Sequence, residues 1–479
     1  MTQRKIVLVT GNFNVLHPGH LRLLRFAKEC GDRLIVAVRS DALAGSGAHV
    51  PEELRLEGIR SNSLVDEAFL VTEPVAELIK KLRPDIVVKG KEHESQHNPE
   101  LVPLKAYGGH LVFSSGETIF SSLDLIRREF QKFDAKTISL PREYIKRHDI
   151  KPSKLVDLIR NYSNLRVGVI GDLIVDEYIT CQPLGMSQED PTIVVTPIDS
   201  VRFIGGAGIV AAHAAGLGAS VNFFSIVGSD EIGEYAANRL KESGITAHLL
   251  CDETRPTTLK QRYRSQGKSL LRVSHLHEGA ISCELQDLLL SIIKEKLPNL
   301  DILVFSDFNY GCLPQTMVDK IIKFAMQHNI FMAADSQSSS QIGDIARFRQ
   351  MHLITPTERE ARLSMKNRED GLVVLAEKLR VQACAKNIFL KMGEEGLLIH
   401  ANSKDQNLVW VTDRVDALNS SPKDVAGAGD SLLIAGAMAL ALGGNIWEAA
   451  LLGSLAAAVQ VGRVGNTPLQ VNELIEEIE

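Results

Sequence analysis

The sequence predicts an α/β chain of two domains in tandem, each built on a mainly parallel sheet, with a small additional β-sheet acting as a lid on the second. Three observations carry this prediction. The chain has 479 residues, more than one ordinary hydrophobic core can organise when domains average roughly 150 residues. Short apolar runs alternate with helical patterns along most of it, and at two places longer β-type pairs break that alternation. A hydrophobic share of 44% and a charged share of 23% fall in the globular range and exclude a disordered or fibrous chain.

From Lys5 to about Phe133 the β-type runs are IVLV (6–9), LIVAV (34–38), EAFLV (67–71), DIVV (85–88) and HLVF (110–113). Strands apolar on both sides fit a sheet covered on both faces, and alternation with helices implies parallel pairing through right-handed crossovers. The first domain is therefore expected over 1–133. Between Asp134 and Asn164 the periodicity fades, charge rises, and Pro141 and Pro152 interrupt the chain. Residues 134–164 thus read as a linker, with a short helix over Ser153–Asn161. The second domain is expected over 165–479, with strands at LRVGVI (165–170), VNFFSIV (221–227), ILVF (302–305), IFMAAD (330–335), LIT (353–355) and IFLKM (388–392). Residues 178–204 and 255–275 read as antiparallel pairs able to cover a site.

A net charge of −6 with scattered Lys and Arg gives no basis for a nucleic-acid surface. Cys30, Cys181, Cys251, Cys283, Cys312 and Cys384 form no CxxC or zinc spacing and read as reduced thiols of a cytoplasmic protein. The opening MTQRKIVLVTGNF lacks the long apolar core of a signal peptide. The uncharged stretch Ser431–Trp447 reads as a buried helix with a glycine C-cap rather than a membrane span.

Two motifs carry chemistry. GNFNVLHPGH places His17 and His20 three residues apart where a strand turns into a helix, so both imidazoles can share one face of its first turn. Helix N-termini attract phosphate, and paired imidazoles can donate hydrogen bonds to charge growing on a phosphoryl group under attack. Alone, the motif also fits a strand–helix junction with incidental histidines. DVAGAGDSLLIAGAMALAL joins a loop to an apolar helix through Gly427, Ala428 and Gly429, whose amides can converge on a phosphoryl oxygen. Asp430, in the first turn, can accept the proton of an attacking hydroxyl. Alone, this too fits a plain glycine-rich helix start.

The surrounding segments add a resemblance. From Val9 to about Phe130 the chain resembles the cytidylyltransferase-like nucleotidyltransferases, especially the adenylyltransferase domain of bacterial ADP-heptose synthesis enzymes, through GNFNVLHPGH, GDRLIVAVRSD (31–41), EELR (52–55), DIVVKGKEH (85–93) and GETIFSSLDLI (116–126). It implies a Rossmann-like domain in which His17 and His20 stabilise the transition state, Gly11 and Phe13 border the nucleotide, Lys89 and Gly90 line the sugar-phosphate pocket, and Ser121 and Ser122 hold the departing phosphates. Residues 165–470 resemble the ribokinase-like (PfkB) sugar kinases through GDLIVDEY (171–178), GGAGIVAAHAAGLGA (205–219), TTLKQRYR (257–264), SDFNYG (306–311), ITPTERE (354–360), KMGEEG (391–396) and DVAGAGD (424–430). There the resemblance implies that Asp176, Gly205 and Gly206 hold the sugar, Lys260 and Arg262 reach its phosphate, Glu360 organises Mg²⁺, and Gly393, Gly396, Gly427 and Gly429 border ATP, with Asp430 the base.

Four positions depart from these patterns: Asn14 stands where Asp is usual, Leu123 for Thr, Ile209 for a sugar-binding Asn, and Thr357 for the Asn of the N-x-x-E magnesium motif. The domain order is also the reverse of the usual one. Together the two resemblances imply a bifunctional enzyme of ADP-heptose synthesis or a variant for another sugar. It would take a sugar phosphate and a nucleoside triphosphate, with ATP as substrate and Mg²⁺ as cofactor, with neither nucleic-acid nor membrane partners, and would pair as a homodimer through the lid. The four departures leave a sugar- or nucleotide-sensing protein as the alternative.

Overall fold

The computed structural model describes residues 5–16, 18–90, 98–114, 137–265, 268–338, 343–402 and 410–479. The chain divides into two compact units, Met1–Lys136 and Thr137–Glu479.

In the first unit the strands are β1 (Ile6–Gly11), β2 (Arg33–Arg39), β3 (Glu67–Val71), β4 (Ile86–Gly90) and β5 (His110–Ser114). They pair in parallel in the order β3-β2-β1-β4-β5. Successive residues serve opposite cores: Val7, Val9, Val36 and Val88 enter one cluster, and Leu8, Ile35, Ala37 and Val87 the other. This period of two, with both faces buried, is why the strands read as continuous apolar runs. The strand order reverses between β1 and β4, which opens a crevice beyond their carboxyl ends at Gly11 and Gly90.

Two side chains shape the loop after β1. Arg55, buried on the helix Glu52–Arg60, donates from Nη1 to the carbonyls of Asn12 at 2.7 Å and Arg39 at 2.8 Å, from Nε to Val50 at 2.7 Å, and pairs with Asp41. Asn14 donates from Nδ2 to the Gly47 carbonyl at 2.8 Å and accepts from the His49 amide at 2.9 Å through Oδ1. This bridge needs a donor and an acceptor on one side chain; an ionised aspartate supplies only acceptors.

The second unit contains β6 (Arg166–Gly171), β7 (Leu173–Met186), β8 (Ile193–Gly206), β9 (Ser220–Val227), β10 (Thr246–Cys251), β11 (Thr258–Ser265), β12 (Lys268–His275), β13 (Ile302–Asp307), β14 (Phe331–Ser336), β15 (Leu353–Ile354), β16 (Asn387–Lys391), β17 (Leu397–Asn402) and β18 (Trp410–Val415). The main sheet runs β10-β9-β6-β13-β14-β15-β16-β17-β18, parallel up to β16 and antiparallel from there. Helices cover both faces: Ile302 and Val304 of β13 meet the layer containing Ala207–Gly216, Ala428–Ala441 and Ile446–Val461, while Leu303 and Phe305 meet that of Cys283–Lys296 and Gln315–Gln327.

A separate four-stranded sheet, β12-β11-β7-β8, accounts for the two stretches that break the alternation. Its halves are antiparallel, and β11 joins them by lying parallel to β7. Strands β10, β17 and β18 lie outside the expected set. β10 and β18 form the two edges of the main sheet, where a strand need not be apolar throughout, and β17 follows β16 through a short turn that gives no helical spacer.

The expected linker over 134–164 requires correction. From Thr137 onward the chain belongs to the second unit. Helices Arg142–Arg147 and Pro152–Asn161, with the short turn Tyr162–Asn164 that follows, bury Tyr144, Leu155, Ile159 and Tyr162 in the same core as the helices Ala428–Ala441 and Ile446–Val461. The Tyr144 hydroxyl donates to the Trp447 carbonyl and that of Tyr162 to the Ala435 carbonyl, each at 3.0 Å. Helices this short cannot display a sustained period, so their apolar faces are hidden among outward charges.

Two outcomes follow for stability. Tyr162→Ala in the full chain is expected to cost the second unit about 3–5 kcal/mol in urea unfolding, where a true linker substitution would cost less than about 0.5 kcal/mol. Asn14→Asp, which removes the donor to Gly47, is expected to destabilise the first unit by about 1–2 kcal/mol at pH 7, read from the same titration.

Candidate active sites

In the first unit the crevice at the β1–β4 reversal gathers the loop after β1, the start of the helix Pro18–Glu29, and the end of β4. His20 stands in the first turn of that helix. Its Nδ1 lies 3.1 Å from the Val15 carbonyl, so the neutral ring carries its proton there, and its ring centroid is 5.1 Å from that of Phe13. Phe13 is buried with a positive φ of 51°. Gly11 sits directly beneath: a Cβ there would touch the Phe13 ring at 3.0 Å. Lys89 ends β4 beside Gly90, and its ammonium donates to Asn98 at 2.8 Å and to the buried carboxylate of Glu100 at 3.1 Å. His17, Ser121, Ser122 and Leu123 lie outside the described residues.

In the second unit Asp430 occupies the first turn of the helix Ala428–Ala441 and is 6% exposed. Gly427 caps that helix at φ 76°, in the left-handed region that favours glycine. Lys391, at the end of β16, passes the same turn: its ammonium is 3.1 Å from where a Cβ on Gly429 would stand and donates to Asp335 at 3.0 and 2.9 Å. Gln337 donates to Asp430 at 3.4 Å. Burial first, and the neighbouring Asp335 second, push the Asp430 carboxyl up to about 7 against the pull of Lys391. Burial likewise raises Asp335 to about 6. For Lys391 burial alone would favour the neutral amine, but Asp335 and Glu360 outweigh it and hold the ammonium above the ordinary lysine range.

Gly205 on β8 is paired with Ile174 of β7 and lies diagonally across from Asp176, so closely that a Cβ on Gly205 would collide with Asp176 Oδ2. Only glycine leaves room for that carboxylate. Asp176 also accepts from Asn466 at 3.2 Å and lies 3.6 Å from the Arg262 guanidinium. Burial raises its carboxyl above the usual range, with Arg262 and Lys260 opposing. Lys260 stands over the rings of Phe308 and Tyr310, 5.2 and 5.1 Å from their centroids. Arg262 instead lines a cavity with Tyr178, Arg264, Ser269, Arg272, Lys423 and Asp424. Gly393 and Gly396 bound the turn between β16 and β17.

Glu360 and Thr357 form a reciprocal cap on the helix Glu358–Met365. Thr357 Oγ1 accepts from the Glu360 amide at 3.2 Å, and Glu360 Oε2 accepts from the Thr357 amide at 2.7 Å. The other Glu360 oxygen accepts from Ser338 at 3.1 Å. The Thr357 hydroxyl thus serves the cap with one of its lone pairs. Ile209 is fully buried in the core and offers nothing to the site. Among the described residues no group of three or more His, Cys, Asp or Glu side chains forms a ready-made metal cage.

Sequence reasoning missed Lys391, Asp335, Arg264, Arg272, Lys423, Asn466 and Arg55. Lys391 and Arg55 stand inside the motif stretches KMGEEG and EELR, but the facing Asp335 and Asn466 are distant in sequence and carry no local signature.

Residues 8–151 match the cytidylyltransferase-like family and residues 166–472 the pfkB family of carbohydrate kinases. The chain is 30% identical over 318 residues to the bifunctional protein HldE of Nitratiruptor sp., an alignment covering 66% of this chain and 65% of that protein. It is also 30% identical over 317 residues to a D-beta-D-heptose 7-phosphate kinase of Bordetella bronchiseptica, covering 65% of this chain and 96% of that one. Thus the chain spans slightly less than two thirds of the HldE relative's length. In fold it is similar to phosphofructokinase-2 of Escherichia coli, at TM-score 0.53 and 16% identity over 66% of this chain and 97% of that one. Ribokinase of Thermotoga maritima gives TM-score 0.51 and 20% identity over 66% and 99%. With a match that spans the second sheet and the helix bearing Asp430, the chain belongs to the pfkB family of carbohydrate kinases.

Proposed function

We propose that the second unit phosphorylates the anomeric hydroxyl of a sugar phosphate, D-heptose 7-phosphate, to the 1,7-bisphosphate, and that, once a separate phosphatase has hydrolysed the 7-phosphate ester, the first unit joins the remaining 1-phosphate to the AMP moiety of ATP, giving ADP-heptose and pyrophosphate. The observation that carries the reading is Asp430: a buried carboxylate, raised to about 7, at a helix N-terminus beside the Lys391 ammonium. A base with that affinity can take the hydroxyl proton near neutral pH as the sugar oxygen attacks the γ-phosphorus of ATP and ADP departs. The Gly427–Gly429 turn and Lys391 meet the charge on the transferring group. Asp176, with Gly205 and Gly206, holds the sugar. Arg262, joined by Arg264, Arg272 and Lys423 around one cavity, receives its phosphate, with Lys260 adding positive charge nearby. Gly393 and Gly396 border ATP.

Mg²⁺ suits this arrangement without a protein cage, because it keeps several waters and is held largely by substrate phosphates. Glu360 and Asp335 are the carboxylates that would receive it, and it would neutralise phosphate charge. In the first unit His17 and His20 would stabilise charge as the 1-phosphate oxygen attacks the α-phosphorus and pyrophosphate leaves. Because Nδ1 of His20 already serves Val15, donation to phosphate calls for the protonated ring, whose Nε2 then carries a hydrogen. Gly11 and Phe13 would border the nucleotide, Lys89 and Gly90 the sugar phosphate, and Ser121 and Ser122 the leaving group. Unpaired thiols at all six cysteines support a cytoplasmic setting. Exposed Leu184, Met186, Ile193, Ile198 and Leu271 on the four-stranded sheet support a homodimer through it.

The test is to supply ATP and Mg²⁺ with D-heptose 7-phosphate and follow ADP, and with D-heptose 1-phosphate and follow pyrophosphate; absence of both products would sink the reading. Asp430→Ala is expected to lower kinase turnover by about 10²–10⁴-fold while sparing pyrophosphate release from supplied heptose 1-phosphate, and His20→Ala to do the reverse. The wild-type kinase rate should fall as pH drops through about 7, where Asp430 takes up its proton. Stability carries the same signature. The folded state holds a proton that the unfolded state releases near pH 4, so rising pH from 4 to 7 costs stability. Asp430→Asn should therefore raise the melting temperature at pH 8 and leave it nearly unchanged at pH 4.

A further inference from the structure

The helix Ala207–Gly216 brings Ile209 into the core, so it places no amide against the sugar. Another amide stands in the site. Asn466 follows Gly465, whose N–H donates to Asp424 at 3.2 Å and whose carbonyl accepts from the Gln460 side chain at 3.0 Å. Held in this way, Asn466 is 7% exposed and touches three groups of the kinase site. Its Nδ2 donates to Asp176 Oδ2 at 3.2 Å. The same nitrogen lies 3.4 Å from where a Cβ on Gly205 would stand, and Oδ1 lies 2.6 Å from the corresponding position on Gly427. Asn466 therefore sits between the residues assigned to the sugar and the turn assigned to the transferring phosphoryl group.

Its Oδ1 accepts no hydrogen bond, and neither does Asp176 Oδ1. Since Asp176 can only accept, the amide must turn Nδ2 toward it, which leaves Oδ1 as the group facing the Gly427 turn. A buried amide oxygen without a donor, on a side chain bonded to a carboxylate whose other oxygen has only the Arg262 guanidinium, at 3.6 Å, calls for a ligand that brings donors. Neighbouring hydroxyls of a sugar are such donors.

We propose that Asn466 is a specificity-determining residue of the kinase site: its Oδ1 accepts one sugar hydroxyl while Asp176 Oδ1 accepts the adjacent one, so that the unit selects sugars carrying this vicinal pair. The inference rests on the sugar-kinase reading above. It assigns to the segment after the helix Ile446–Val461 the polar contact that Ile209 cannot make.

The test compares wild type and Asn466→Ala on D-heptose 7-phosphate and on its monodeoxy analogues, with saturating ATP and ADP release as the readout. With the parent sugar, Asn466→Ala is expected to lose about 10–100-fold in kcat/KM, mostly through KM. With one analogue, lacking the hydroxyl that Asn466 binds, the wild type should be as poor as the variant, and the variant's loss should shrink to about twofold or less. Equal loss on every analogue would overturn the proposal and leave Asn466 a brace for Asp176. If Asn466→Ala does not fold, Asn466→Thr decides by the same comparison: loss confined to all but one analogue supports hydroxyl recognition, and uniform loss or none overturns it. A wild-type protein that releases no ADP with D-heptose 7-phosphate overturns the heptose-kinase reading itself, and the proposal falls with it; that outcome is distinct, because it appears without any substitution.

Discussion

The electrostatics of the second unit's candidate site depend on how one buried ammonium is shared among several buried carboxylates. Asp335, Glu360 and Asp430 are all nearly inaccessible, and an isolated carboxylate in such surroundings is costly unless it is paired or protonated. Lys391 gives its hydrogen bonds to both oxygens of Asp335. Glu360 is satisfied by the amides of Thr357 and Ser338. Asp430 receives the weakest share, one long contact from Gln337. It is therefore the carboxyl whose proton affinity rises furthest toward neutrality. The raised proton affinity on which the proposed base role rests follows from the allocation of partners: a direct ion pair between Lys391 and Asp430 would have left an ordinary, weakly basic aspartate.

Much of the fold was legible because burial on both faces of a parallel sheet imposes a local signature. EAFLV (67–71) was read with its bounds unchanged, and the central strands shift by a residue or two. The two motifs were legible for a related reason, since a helix N-terminus facing an anion needs small residues and a specific polar side chain within a few positions. Long-range partners were not. Lys391 and Asp335 are 56 residues apart, and Asn466 and Asp176 are 290 apart. Nothing in either local sequence announces the other. The segment from Thr137 to Asn164 was misread for the opposite reason: its signature is local but too short, since Tyr144 and Tyr162 anchor helices of two or three turns.

Three of the departures from the family patterns acquire physical roles. Asn14 bridges Gly47 and His49 with one donor and one acceptor. Thr357 caps a helix through the same carboxylate that helps raise Lys391. Ile209 fills the core of the second unit. None leaves an unsatisfied polar group of its own among the described residues, whereas Asp176 and Asn466, side by side in the second unit, each keep a buried oxygen without a hydrogen bond. A chain that had abandoned ligand binding would have no reason to keep such acceptors buried, because each opposes folding until a donor arrives.

In the proposed function both units solve one physical problem with the same device. Transfer of a phosphoryl or nucleotidyl group between oxygens requires no nucleophile from the protein, only fixed donors and cations around a phosphorus whose oxygens gain charge. Fixed donors are most readily supplied where a parallel sheet ends and a helix begins, because the strand is immobilised by neighbours and the helix presents unpaired amides. In the first unit that point is the reversal between β1 and β4, held by Arg55 beneath the loop. In the second it is the turn before Ala428–Ala441, held between Lys391 and Asn466. The two turns are therefore held by different local partners.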